Sequence, residues 1–217
     1  MKKIGILLSG CGVKDGSEIH EAVLTLLAVD RAGAQAVFMA PDVELEAVNH
    51  LTGEPSGEKR NVLLESARIA RGDIRDVAKV RAQDIDALLL PGGFGAAKNL
   101  CNFAYVGADA KPQEDVARLV REVHQAKKPI GAICIAPATI AAILGHEAHP
   151  SLTVGTDKGT AAALEKMGAK HQDCSVREFH VDENNKIVST PAYMLATRVS
   201  EAAEGIEKLV KKVIEMS

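Results

Sequence analysis

The sequence has no tryptophan, and aromatic residues make up only 3% of its 217 positions. A stacking platform for single-stranded nucleic acid is therefore missing. Charge of one sign is also missing. Lys and Arg number 26 against 29 Asp and Glu, a formal net charge of −3, which leaves no electrostatic footprint for nucleic acid or an anionic membrane. No apolar run approaches the length of a membrane span. The N-terminus leads straight into an apolar strand, without a signal-like core or a small-residue cleavage site, so the expected location is cytoplasmic. The four cysteines, Cys11, Cys101, Cys134 and Cys174, form no Cys-x-x-Cys pair. Neither a zinc site nor a redox dithiol is expected, and the thiols should be free.

With few aromatics and 47% hydrophobic residues, the core must be mostly Ala, Val, Ile and Leu, as suits helices packed on a buried parallel sheet. The length fits one domain, residues 1–217, with no linker or internal repeat. Lys3–Leu8 reads as a buried strand, Ser9–Ser17 as a glycine-rich loop, Glu18–Ala32 as a helix ended by Gly33, and Gln35–Ala40 as a second strand. This predicts a right-handed parallel crossover. Asn49–Arg60 reads as a polar surface loop and Asn61–Arg71 as a helix. Ala87–Leu90 and Pro129–Cys134 read as strands, and Gln113–Ala126 as a helix with apolar spacing at Val116, Leu119, Val120 and Val123. Further strands are expected at Leu152–Gly155, Phe179–Asp182 and Lys186–Thr190, the last two joined by an Asn184-Asn185 turn. Helices are expected at Pro137–Leu144, Thr160–Met167 and Met194–Ile214. The alternation predicts an α/β fold, a doubly wound and mostly parallel sheet with helices on both faces. Such sheets place sites beyond the carboxyl ends of their strands, at loops 9–17, 91–95 and 134–137.

In the third loop an apolar strand runs into Cys134 and a helix begins at once, with Ala132 and Ala136 two residues either side and Pro137 at the first turn. Small flanking residues permit the tight turn of a nucleophile elbow. A thiol there has its thiolate stabilised by unpaired N–H groups and the helix dipole. A small buried core cysteine fits the local pattern equally well. Pro91-Gly92-Gly93-Phe94-Gly95 ends another strand, and its glycines let backbone N–H groups approach a ligand as an oxyanion hole requires; a ligand-free tight loop would look the same. In Gly16-Ser17-Glu18-Ile19-His20-Glu21, Ser17 or Asp15 could cap the helix and Glu18 serve as a first-turn acid. Gly10-Cys11-Gly12 lacks the spacing of a dinucleotide loop.

Together, Ile-Leu-Leu-Ser-Gly-Cys-Gly-Val, Asp-Gly-Ser-Glu-Ile-His-Glu, Leu-Pro-Gly-Gly-Phe-Gly-Ala-Ala-Lys-Asn-Leu, Cys-Ile-Ala-Pro-Ala and Thr-Pro-Ala-Tyr-Met-Leu-Ala resemble the ThiJ/PfpI superfamily. Within it, they resemble the ElbB, or isoprenoid biosynthesis glyoxalase, family. The resemblance covers essentially the whole chain. It implies a flavodoxin-like, class I glutamine amidotransferase-like fold and a homodimer. The family's elbow cysteine falls on Cys134 and its cleft glutamate on Glu21. Its oxyanion glycine falls on Gly93, beside Gly92, with the N–H of Ile135 as a helper. A departure accompanies the match. Relatives carry a histidine directly after the cysteine, here Ile135, or about twenty residues later, here Gly155-Thr156-Asp157. Proteolysis and glutaminase chemistry, which use a cysteine–histidine pair, are therefore not expected. The implied activity is a slow, glutathione-independent glyoxalase. It would take a small carbonyl substrate such as glyoxal to glycolate through a Cys134 thiohemiacetal, with no cofactor and no metal. The alternative is a non-catalytic thiol-based redox sensor or regulatory binding protein. His20, one residue from Glu21 on a helix, should face away from the cleft.

Overall fold

The computed structural model describes all 217 residues. Its centre is a seven-stranded sheet built from β1 (Lys3–Leu7), β2 (Gln35–Ala40), β5 (Arg75–Asp76), β6 (Ala87–Leu90), β7 (Ile130–Ile133), β10 (His180–Asp182) and β11 (Ile187–Thr190). The spatial order is β10-β11-β7-β6-β1-β2-β5. Every pairing is parallel except the β10–β11 hairpin. β6 and β7 are buried at every residue, as strands covered on both faces should be.

Helices cover both faces. On one side lie α1 (Ile19–Arg31) and α8 (Val199–Met216), packed against each other. The buried positions of α8, Ala202, Gly205, Ile206, Leu209, Val210 and Val213, recur at helical spacing, and all but Gly205 fill one hydrophobic cluster with Ala22 and Val29 of α1. On the other side, α5 (Glu114–Gln125) and α6 (Ala136–Ala148) bury Leu119, Val120, Ile140 and Leu144 in a second cluster. The remaining helices, α2 (Val62–Ile69), α3 (Phe94–Lys98), α4 (Phe103–Val106) and α7 (Lys158–Lys166), are short. The expected doubly wound α/β architecture is present, and the predicted apolar stripe of α5 is buried as read.

Three local expectations are corrected. The segment 49–60 is not all loop. β4 (Pro55–Asn61) pairs antiparallel with β3 (Glu44–Val48), outside the main sheet. β4 is almost wholly exposed, so its pairing rests on backbone bonds and cross-strand charge, with Lys59 2.6 Å from Glu44, and leaves no apolar pattern to read. The strand expected at 152–155 shrinks to β8 (Ser151–Leu152), paired with β9 (Lys170–His171). Beyond it, hydroxyls replace ladder partners: Thr153 N–H donates to Ser189 Oγ and Gly155 N–H to Thr153 Oγ1. The last helix starts at Val199 rather than Met194, because the Glu201 carboxylate accepts the N–H groups of Thr197 and Arg198 and caps it there.

The chain passes from β1 through α1 to β2 on one side, while β6 lies on the other side of β1. The strand order reverses at this point, opening a crevice above the carboxyl ends of β1, β6 and β7.

Candidate active site

Each wall of that crevice comes from the loop after one strand. β7 ends at Ile133, and Cys134 makes the turn into α6 with φ +61°, a left-handed conformation that a non-glycine residue adopts only when its surroundings hold it there. Its N–H is tied to the Thr190 carbonyl at 2.9 Å. This is the elbow read from the sequence. The thiol is 8% exposed and borders a cleft of about 400 Å³.

α1 supplies Glu21, which is fully buried. One carboxyl oxygen accepts the Gly92 N–H at 2.9 Å and the other the Tyr193 N–H at 3.2 Å. Its carboxyl lies beside the Cys134 side chain, the two meeting over the Cα of Gly92. Burial, reinforced by the neighbouring charge of Glu18, pushes the Glu21 carboxyl up to about 8. Burial, and then Glu21, push the Cys134 thiol up as well. The backbone N–H groups of Gly93 and Ile135 oppose that rise. Two buried groups this close titrate as a unit. Both shifts favour the protonated forms, and the backbone N–H groups of Gly93 and Ile135 are what favours the thiolate.

β6 supplies the third wall. Gly93 has φ +94°, and a Cβ there would lie 2.3 Å from Glu18 N and 2.4 Å from Gly16 O, so only glycine fits. The 9–17 loop is a buttress for this wall rather than a ligand cradle. Gly95 N–H donates to Gly16 O, Phe94 N–H to Val13 O, and Asn99 Nδ2 to the carbonyls of Ser9 and Asp15.

Cys134, Glu21, Gly92, Gly93 and Ile135 are thus brought together. Other neighbours were not legible as site residues. Glu18 caps α1, accepting Glu21 N–H at 2.7 Å, and lines the cleft; Ser17 and Asp15 instead bond Ser9 and Val48. Tyr193 is delivered by Ala192, whose φ is +43°. Phe94, Phe103 and Met194 complete an apolar wall. His20 points out of the core, its side chain 60% exposed, yet its Nδ1 lies 2.8 Å from the Tyr193 hydroxyl at the cleft rim. At the position of the second missing histidine, Gly155 packs against Leu195. No cluster of three His, Cys, Asp or Glu side chains is arranged to hold a metal.

A doubly wound sheet, a strained cysteine elbow and a buried glutamate facing it across a glycine loop define a class of cysteine-elbow α/β proteins. The chain belongs to the DJ-1/PfpI family, whose pattern it matches over residues 11–196. It is 48% identical to the human "Glutamine amidotransferase-like class 1 domain-containing protein 3, mitochondrial", over 99% of this chain and 83% of that one. It is 47% identical to the rat "ES1 protein homolog, mitochondrial", over 99% and 84%. The crystal structure of an isoprenoid biosynthesis protein with an amidotransferase-like domain from Ehrlichia chaffeensis superposes with a TM-score of 0.92 at 37% identity, covering 98% of this chain and 99% of that one. The cytoplasmic expectation is corrected by these relatives, since those at 48% and 47% identity carry mitochondrial names. Net charge and the lack of long apolar runs do not distinguish one aqueous compartment from another.

Proposed function

We propose that the protein is a glutathione-independent glyoxalase acting on small dicarbonyls through Cys134 and Glu21, within one domain spanning residues 1–217. The observation that carries this reading is the juxtaposition of Glu21 and Cys134 on either side of Gly92, beneath the open cleft. It joins a nucleophile to an acid–base group whose pKa of about 8 suits proton transfer near neutral pH.

The Cys134 thiolate adds to one aldehyde carbon, forming a C–S bond and turning the carbonyl oxygen into an oxyanion. The N–H groups of Gly93 and Ile135, which favour negative charge at the sulfur, stabilise that charge. Protonation gives a thiohemiacetal. Glu21 removes its carbon-bound proton to form an enediol and returns a proton to the neighbouring carbon, leaving a thioester. Water cleaves the thioester, releasing glycolate and restoring the thiol. The sum is glyoxal plus water to glycolate; one carbon is oxidised as its neighbour is reduced, so the balance requires no external electron acceptor. Proteolysis and glutaminase chemistry are not proposed, because no histidine pairs with Cys134. A sensor thiol would be expected to be exposed, whereas Cys134 is buried.

The test is glycolate formation from glyoxal by the wild type and by Cys134→Ala, with Cys11→Ala, Cys101→Ala and Cys174→Ala as controls. The wild type and controls should turn over and Cys134→Ala should not. Equal rates in wild type and Cys134→Ala would remove the proposal.

A further inference from the structure

Glu18 is the second carboxyl of the site, and the proton transfers between Cys134, Glu21 and substrate give it no part. It is 9% exposed and borders the cleft beside Cys134 and Tyr193. Hydrogen bonds tie it to the reacting pair. Its Oε2 accepts the Glu21 N–H at 2.7 Å, which fixes the first turn of α1, from which Glu21 projects. Its own N–H donates to the Gly92 carbonyl at 2.9 Å, while the Gly92 N–H donates to Glu21 Oε2 at 2.9 Å. Glu18, Gly92 and Glu21 close a ring of hydrogen bonds around the residue over which Glu21 and Cys134 meet.

A helix cap alone does not explain a glutamate at this position. Ser, Thr, Asp and Asn are the favoured caps, and burying a carboxylate is costly unless a cation pairs with it. No Lys or Arg lines the cleft. The basic neighbour of Glu18 is His20, whose Nδ1 lies 3.9 Å from Oε1 and only 2.8 Å from the Tyr193 hydroxyl. Around Glu21, α1 presents Glu18, the turn between β7 and α6 presents Cys134, and the connection before α8 presents Tyr193, while the loop after β6 contributes the Gly92 N–H. Glu18 is the charged group of this set. After burial, its negative charge raises both the Glu21 carboxyl and the Tyr193 hydroxyl.

We propose that Glu18 is a positioning residue acting through Glu21: its hydrogen bonds set where the Glu21 carboxyl lies, and its negative charge sets when that carboxyl gives up and takes back a proton. This rests on the reading of Glu21 as the proton carrier. Within one turnover Glu21 must lose a proton to act as a base and hold one to act as an acid. A negative charge beside it makes its carboxylate a stronger base and delays ionisation to higher pH. Two kinds of variant separate charge from cap. Glu18→Gln keeps an oxygen able to accept the Glu21 N–H and removes the charge, and Glu18→Ser installs a favoured neutral cap. Glu18→Asp keeps both charge and cap.

The rate of Cys134 alkylation by iodoacetamide, read on the Cys134 peptide by mass spectrometry, is measured from pH 5 to pH 10 for the wild type and the three variants, alongside glyoxal turnover. The wild type should show a step near the Glu21 value of about 8. Glu18→Gln and Glu18→Ser should move it to lower pH by roughly half a unit or more, and Glu18→Asp should leave it in place. The rising limb of kcat/KM for glyoxal should move with the step, and plateau kcat in the neutral variants should fall about two- to threefold, because a weaker base removes a carbon-bound proton more slowly. A step that stays at the wild-type pH in both neutral variants, one that moves equally in Glu18→Asp, or a wild type without a step overturns the inference; if that wild type still turns over glyoxal, the glyoxalase reading stands. If no protein turns over glyoxal but the step moves in the neutral variants alone, the glyoxalase reading falls and the action of Glu18 on Glu21 is supported.

Discussion

Glu21 and Cys134 meet across the backbone of Gly92. The Gly92 N–H donates to Glu21 at 2.9 Å, and a Cβ on Gly92 would stand 2.5 Å from Cys134 Cβ and 2.6 Å from Glu21 Oε2. The pair can touch only because nothing projects from residue 92. Three different strand-to-helix connections therefore converge on one closely packed pair.

Gly92→Ala should wedge the pair apart. The added methyl has no room, and overpacking of this kind costs about 1–3 kcal/mol. Turnover should fall by two orders of magnitude or more while the circular dichroism of the folded protein is retained. Denaturant titration beside a glycolate assay checks both, and wild-type turnover in this variant would show that the contact is dispensable.

Glu21 makes stability depend on pH. Its folded value of about 8 lies above the ordinary 4.5, so between those limits the folded state keeps a proton that the unfolded state releases. The stabilisation is complete below about pH 4.5, declines as pH rises through the window and is gone above about 8. At one pKa unit per about 1.4 kcal/mol, the full span is on the order of 5 kcal/mol. Glu21→Gln should remove this slope and be relatively more stable at pH 8.5 than the wild type. It should also lose the step near pH 8 in the rate of Cys134 alkylation. Chemical denaturation at pH 5, 7 and 8.5 measures the slope, and parallel curves for the two proteins would contradict the buried neutral carboxyl.

The His20–Tyr193 contact should be secondary. Tyr193 holds Glu21 through its backbone N–H, which Tyr193→Phe retains, and His20 meets the Tyr193 hydroxyl at 2.8 Å and the Glu18 carboxylate at 3.9 Å, not Glu21. Tyr193→Phe and His20→Ala should each change kcat less than about fivefold. A loss as deep as that of Cys134→Ala would make this pair, rather than Glu21, the acid–base group of the site.

The sheet, the elbow and the Glu21, Gly92 and Gly93 positions were legible because each left a local mark: an apolar run, a turn flanked by small residues, or a recurring motif. Tyr193 left none. It meets Glu21 from 172 residues away with a backbone group that every residue except proline possesses, aimed by the strained Ala192. Glu18 was legible as a helix-start acid, but its place in the cleft depends on Gly93 closing against it. The β3–β4 hairpin went unread because its outer strand, Pro-Ser-Gly-Glu-Lys-Arg-Asn, has no buried face to impose alternation. Compartment left no trace in the composition.

The central claim is that Cys134 and Glu21 carry out an internal redox by moving a proton, and deuterated water tests it most directly. Glyoxal is incubated with the wild type and with Cys134→Ala in D₂O, and the glycolate is read by proton NMR. If Glu21 takes the carbon-bound proton, exchanges with solvent and returns a deuteron, wild-type glycolate carries deuterium on its CH₂ carbon and Cys134→Ala produces no glycolate. Glycolate with only protium on that carbon, or formed equally fast without the thiol, would contradict the account.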